Sequence, residues 1–152
     1  MFTLSNIKKK LADYCVYQER SHYEVEQKLK EYTFLDQDER GEIIVWLIHN
    51  NFLNEERFAL SYTRGKFYQK KWGKIKITQG LKQKKIPNNL INIGLEQINE
   101  DDYISTIKEL ANKKWNTIRE SEIFLKKKKL YNYLQQKGYE NHFIHEIIEN
   151  ID

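Results

Sequence analysis

Residues 51–73 read NFLNEERFALSYTRGKFYQKKWG, and their order decides the fold class. Asn54 can offer a side-chain oxygen to the free N–H groups of a helix start. Glu55 and Glu56 stand in the first turn, where the helix dipole favours acids. A helix is expected from there to about Lys71, where Gly73 breaks it. At about 100° per residue, Phe58, Ala59, Tyr62, Gly65 and Gln69 share one sector, the expected core face. Arg57, Ser61, Arg64, Tyr68 and Lys71 fall on a separate stripe.

Helix signals continue in both directions. Upstream, Ile7, Leu11 and Cys15 form a helical stripe over about Ser5 to Gln18. Ser21 and Glu24 are spaced as a capping box, in which hydroxyl and carboxylate satisfy otherwise unpaired N–H groups. Val25, Leu29 and Tyr32 supply that second helix's inner face. A third runs from about Asp38 to Asn50, with Ile43, Trp46 and Leu47 inside. Downstream, a fifth helix covers about Lys74 to Lys84. Pro87 suits the first turn of a sixth, to about Gln97. A seventh runs from about Asp101 to Trp115, and an eighth from about Ser121 to Lys137, stopped by Gly138 in the left-handed position. The ninth, about Asn141 to Ile151, carries Ile144, Ile147, Ile148 and Ile151 on one side. Strand-like alternation occurs only over Lys74 to Ile77, too short to define a strand.

The nine segments repeat. Leu29, Leu81 and Leu134 are followed after five residues by Phe34, Ile86 and Tyr139, and after fourteen by Ile43, Leu95 and Ile148. Upstream the apolar-Ala pairs Leu11-Ala12, Phe58-Ala59 and Leu110-Ala111 recur. The expected fold is all-α: three tandem three-helix repeats, 1–53, 54–99 and 100–152, in an elongated, curved array. A unit of this size has a thin core, and stacking gives a long continuous surface.

Composition agrees. The 152 residues include 3 Trp, 10 Tyr and 7 Phe, which a disordered chain would lack. Six Gly and one Pro are too few for an all-β sandwich or barrel. No apolar run approaches the ~18 residues of a membrane span. No apolar segment follows the N-terminal lysines, so no signal peptide is expected. A single cysteine, Cys15, excludes an internal disulfide and fits a reducing cytoplasm.

Charge is unevenly placed. From Arg57 to Leu95 there is no Asp or Glu but ten basic residues, so this stretch carries +10 and the rest −6 of a net +4. Such a basic middle points to a polyanion or an acidic partner surface. Arg forks grip phosphate or carboxylate, and a tyrosine can stack on a base. The candidate contact residues are Arg57, Arg64, Tyr68, Lys71, Lys74, Lys76, Lys82, Lys84 and Lys85. The ordinary alternative is a solvated helix face. Lys126 to Lys129 wrap right round a helix, so at least one must lie near the core and snorkel.

Asn51 to Ala59 resembles the most recognisable signature of the RecX family, bacterial regulators of the recombinase RecA: an aromatic, Leu, acidic or amide residues, then Arg-Phe-Ala. Gly73, Ile77, Leu81 and Ile86 match the family's next run. Arg20-Ser21, Glu24, Lys28 and Leu29 match its opening, and Leu134 with Gly138-Tyr139 its close. Lys85 stands where the family usually has Gly, and Thr33 near the corresponding Gly of the first unit. The resemblance implies three tandem three-helix repeats, binding along the groove of the RecA–DNA filament, and modulation of RecA, with inhibition the expected sense. Contact with single- or double-stranded DNA would be direct or through the filament, and a monomer is the simplest state for an end-to-end array.

Signs of catalysis are weak. His142 and His145 with Glu146 could meet a metal but lack a third ligand and the H-E-x-x-H pattern. Cys15 lies on an apolar stripe and reads as core. Glycines are scattered singly, so no phosphate loop exists. Trp46, Trp72 and Trp115 read as packing, with Trp72 also placed to touch a ligand. A regulatory binding protein is therefore expected, with no enzyme activity, cofactor, metal or membrane association. The alternatives are a stand-alone nucleic-acid-binding module using the fifth and sixth helices as a helix-turn-helix, and a small enzyme around the paired histidines.

Overall fold

The computed structural model describes residues 3–151. Among them are nine α-helices and no strand: α1 (Leu4–Tyr17), α2 (His22–Leu29), α3 (Gln37–His49), α4 (Glu55–Arg64), α5 (Lys74–Gln83), α6 (Asn88–Glu96), α7 (Glu100–Thr117), α8 (Ile123–Gln136) and α9 (Asn141–Glu149). Their starts are chemically marked. Ser21 and Glu24 close the capping box on α2, and Asp36 with Glu39 closes a second on α3. Asn54 accepts from the Arg57 N–H at 2.9 Å and Asn99 from the Asp102 N–H at 3.0 Å. Pro87 sits at the N-cap of α6, one residue before the expected position.

Three three-helix units stand in series, and the accessible surface is 9695 Å². A compact monomer of this mass would expose about 8,200 Å², so the array is extended. Leu29, Leu81 and Leu134 are all fully buried, as are Ala59 and Ala111, with Ala12 nearly so. The residue five places on behaves differently in the first unit. Ile86 and Tyr139 are buried, whereas Phe34 is 59% exposed and Leu35 takes the core position. The reason is the turn. Lys85 (φ 62°) and Gly138 (φ 96°) are left-handed. They let Ile86 N–H reach the Leu81 carbonyl and Tyr139 N–H the Leu134 carbonyl, at 3.1 and 3.2 Å. These are Schellman closures. No residue of the Leu29–Leu35 turn is left-handed, so that chain takes one more residue to return to the core.

The expected long fourth helix is also corrected. Regular α-helix ends at Arg64, and residues 65–69 form a π-turn closed by Lys70 N–H to the Gly65 carbonyl at 3.3 Å. The wider turn brings Phe67 into the core and leaves Gln69 on the surface. Thr63 and Phe67, rather than Gly65 and Gln69, complete the inner face begun by Phe58 and Ala59. Lys71 is not helical: it adopts φ 62° in the turn that follows.

Packing divides the array unequally. Helices α1–α3 enclose one apolar cluster, around Ile7, Leu11, Val25, Leu29, Ile43 and Leu47. Helices α4–α9 share a second, continuous one. An aromatic ladder runs through it, with Phe67 and Tyr103 at 5.5 Å and Tyr103 and Tyr139 at 5.3 Å between ring centroids. Backbone joins the second and third units as well. Gly73 N–H donates to the Lys137 carbonyl at 2.7 Å, and Ile75 N–H to that of Gly138 at 2.9 Å. A Cβ at Gly73 would collide with the Gly138 carbonyl, so only glycine allows this approach. The first unit meets the second differently, through the ion pairs Glu19–Arg57 and Glu24–Lys84 and a polar contact of His22 with Glu55.

Candidate binding surface

The acid-free stretch supplies the π-turned α4, the turn after it, and α5. Its cations do not form one stripe. A shallow hollow beside α4 is lined by Arg57, Leu60, Ser61, Arg64, Tyr68 and Gln69. Three of the expected contact residues therefore share one concavity. Arg64 and Tyr68 are exposed there. The Tyr68 hydroxyl donates to Asp102 of α7 at 2.9 Å. Loss of water around the hydroxyl, then that bond, hold its ionisation above the ordinary range, so it stays a neutral donor.

Arg57 is held more tightly than a surface contact residue. Its Nε donates to both Glu19 oxygens at 2.7 Å. Its Nη2 donates to the carbonyls of Asn51 and Phe52 at 3.1 and 3.3 Å. The guanidinium thus ties the α1–α2 connection and the end of the first unit to the start of α4. Lys84 is likewise paired, to Glu24 at 3.3 Å, and Lys85 lies over Tyr23 at 6.0 Å.

On the side facing the third unit the cations are arranged on rings. Lys74 Nζ stands 4.8 Å from the centre of Tyr103. Lys76 and Lys66 Nζ stand 4.4 and 4.7 Å from the centre of Trp72. Such contacts hold an ammonium in place while leaving its charge uncompensated by an acid. Lys71 lies nearby, its carbonyl accepting from the Tyr139 hydroxyl at 2.8 Å. Lys82 is exposed on α5. Lys66, with Trp72, is the member that helical phase alone missed. Its place in the acid-free run was the only sequence signal, because the π-turn shifts the phase after Arg64.

The three classes of position differ electrostatically. Arg57 and Lys84 are partnered by acids. Lys66, Lys74 and Lys76 are steadied by rings. Arg64, Lys70 and Lys82 are exposed and make no ion pair among the described residues. The last two classes can still bind an anion without first releasing an acid.

Elsewhere, Lys126 Nζ lies 4.2 Å from the centre of the Trp115 ring, its stem half-buried, and Lys129 pairs with Glu120 at 3.4 Å. His145 packs on Tyr131 and His142 on Phe143. No cluster of three or more His, Cys, Asp or Glu able to hold a metal gathers among the described residues. No helix among them is long and apolar enough to cross a membrane.

Comparison with known proteins gives a consistent picture. Residues 54–95 match the family model described as RecX, second three-helix domain, and residues 100–148 that of RecX, third three-helix domain. The regulatory protein RecX of Clostridium acetobutylicum is 33% identical over 137 residues, 87% of this chain and 62% of that protein. That of Chlorobaculum tepidum is 32% identical over 126 residues, 83% of this chain and 76% of its own length. The chain thus spans less than two thirds of the first relative and about three quarters of the second. The crystal structure of RecX from Lactobacillus salivarius superimposes with a TM-score of 0.83 at 27% identity, covering 96% of this chain and 94% of that one.

Proposed function

The chain belongs to the RecX family of regulatory proteins, and from that premise we propose that it lies in the helical groove of the RecA–DNA filament and lowers RecA's recombinase and ATPase activity. It acts as a monomer in the cytoplasm, without catalysis or cofactor of its own. Its working units are 1–53, 54–99 and 100–152. The basic second unit makes the central contact, through Arg64, Tyr68, Lys71, Lys74, Lys76 and Lys82, with Arg57, Lys84 and Lys85 at its edge toward the first unit.

The observation that carries this reading is the acid-free stretch from Arg57 to Leu95, whose exposed and ring-steadied cations remain available to an anion. An extended array suits a groove, since it can follow a long surface without a deep pocket. A stand-alone helix-turn-helix is less well supported. Its recognition helix would be α6, which contains no lysine or arginine, whereas base readout and phosphate contact both draw on those residues.

The test reverses three charges together, Arg64, Lys71 and Lys76 to Glu. All lie outside the buried core, so helicity by circular dichroism should be unchanged. Affinity for filaments of the host recombinase on single-stranded DNA should fall sharply, and with it inhibition of ATP hydrolysis. If phosphates are the partners, the slope of log affinity against log salt should flatten by roughly 0.7–0.9 for each phosphate no longer neutralised. A folded triple mutant with an unaltered inhibition curve would make the basic middle a solvated face and reject the reading.

A further inference from the structure

Helix α8 begins in an unusual way. Ile123, Phe124 and Leu125 are its first three residues and are 55%, 67% and 38% exposed. Three consecutive apolar residues largely in water cost solubility and are not among the buried residues of the core, so such a run calls for a covering partner. At the start of a helix, three successive side chains fan out over most of its circumference, so they form a protruding tip. The core contribution of α8 comes later, from Leu130 and Leu134.

Charge flanks the tip with both signs. On one side Glu122 is exposed at the N-cap and makes no capping hydrogen bond, and Glu120 lies close by in the preceding loop. On the other are Lys127 and Lys128, which have no ion pair among the described residues. Lys126 is already held on Trp115 and Lys129 by Glu120. A uniform polyanion, whether a nucleic-acid strand or an anionic bilayer, would bring its phosphates against Glu122 as well as the lysines. Two of the three apolar side chains are aliphatic and offer no ring for a base to stack on. A protein surface can instead match apolar, acidic and basic groups in order, and such complementarity fixes the orientation of docking.

We propose that the α8 tip, Ile123-Phe124-Leu125, is a docking knob for a protein cleft that is apolar at its floor and carries carboxylates on the rim facing Lys127 and Lys128. It is a second contact, on the third unit, away from the basic middle. The proposal rests on the filament-binding reading above, in which the recombinase filament presents that cleft. Phe124 is the anchor, and the flanking charges set its approach.

The experiment compares the wild type with Ile123→Ser/Phe124→Ser and, separately, Lys127→Glu/Lys128→Glu. The probes are recombinase filaments on single-stranded DNA, bare single-stranded DNA, and phosphatidylglycerol vesicles. The serine pair lies outside the core, so its thermal midpoint should match the wild type. Its filament affinity should fall at least about tenfold, as for removal of a hot spot, with an unchanged salt slope because no charge is altered. The glutamate pair should also weaken filament binding. A serine pair that binds filaments within about twofold of the wild type overturns the knob and leaves the filament reading standing. A wild type that fails to bind filaments removes both. Failure of the serine pair to bind bare DNA or vesicles that the wild type binds would show a nucleic-acid or lipid occupant and overturn the protein assignment.

Discussion

The Arg57 guanidinium and the Glu19 carboxylate meet at 2.7 Å across the junction of the first and second units, 38 positions apart in the chain. The same guanidinium holds the carbonyls of Asn51 and Phe52. Arg57→Ala should therefore cost about 1–2 kcal/mol, since it leaves those acceptors without their donor. A double-mutant cycle with Glu19→Gln should assign about 0.5–1 kcal/mol to the pair, because both side chains are partly exposed. The adjacent Phe58→Ala, in the core, should cost about 3–5 kcal/mol. Urea denaturation of the four variants measures all three, and zero coupling would mean the pair does not hold the junction.

The unequal junctions should show in solution. A compact chain of this length has a radius of gyration of about 15 Å, and X-ray scattering should return a clearly larger value. Raising salt to about 1 M shortens the screening length to about 3 Å and weakens the partly exposed ion pairs of the junction. The pairs Glu19–Arg57 and Glu24–Lys84 hold the first unit, whereas a shared core holds the other two. The radius should therefore grow further at high salt with no loss of helicity. A salt-independent value at or below the compact one contradicts this.

Lys85 takes φ 62° at a turn that Gly138 makes in the third unit. A side chain in that region is strained by its Cβ, and glycine is not. Lys85→Gly should raise stability by about 0.5–1 kcal/mol, the relief of strain outweighing the added freedom of the unfolded chain. Its contact with Tyr23, at 6.0 Å, is too long to reverse the sign. Thermal midpoints measure this, and a destabilised variant would show that the turn is relaxed with lysine.

Burial pushes the Cys15 thiol up to about 11 from 9.0. Its folded pKa lies above its unfolded one, so the stabilisation is complete below pH 9 and declines as pH rises toward 11. Burial also raises Tyr103 and Tyr139, adding to the same alkaline loss. The thermal midpoint should fall over this window, and less steeply in Cys15→Ala. In the native state at about pH 8 the thiol should resist a disulfide reagent and react once urea unfolds the chain. Rapid native reaction would contradict its burial.

Much of this protein is legible locally. Ser21 with Glu24, Asn54 with the Arg57 N–H, and Gly138 with its left-handed φ are decided by residues within a few positions of one another. Helix starts and stops depend on such short-range hydrogen bonds, so the sequence alone determines the nine helices found among the described residues. The phase of α4 beyond Arg64 is another matter. Regular periodicity puts Gly65 and Gln69 inside, but Phe67 packs against Tyr103 from the next unit, and the π-turn accommodates it. Phe34 and Leu35 exchange roles because no left-handed residue shortens the first unit's turn. Among the cations, sequence shows only that ten lie in one acid-free run. That Arg57 and Lys84 meet acids while Lys74 rests on Tyr103 was decided by the tertiary structure. Helix formation is settled by neighbours in the chain. The fate of a charge is settled by what the fold brings within a few ångströms of it, and those groups lie up to tens of residues away.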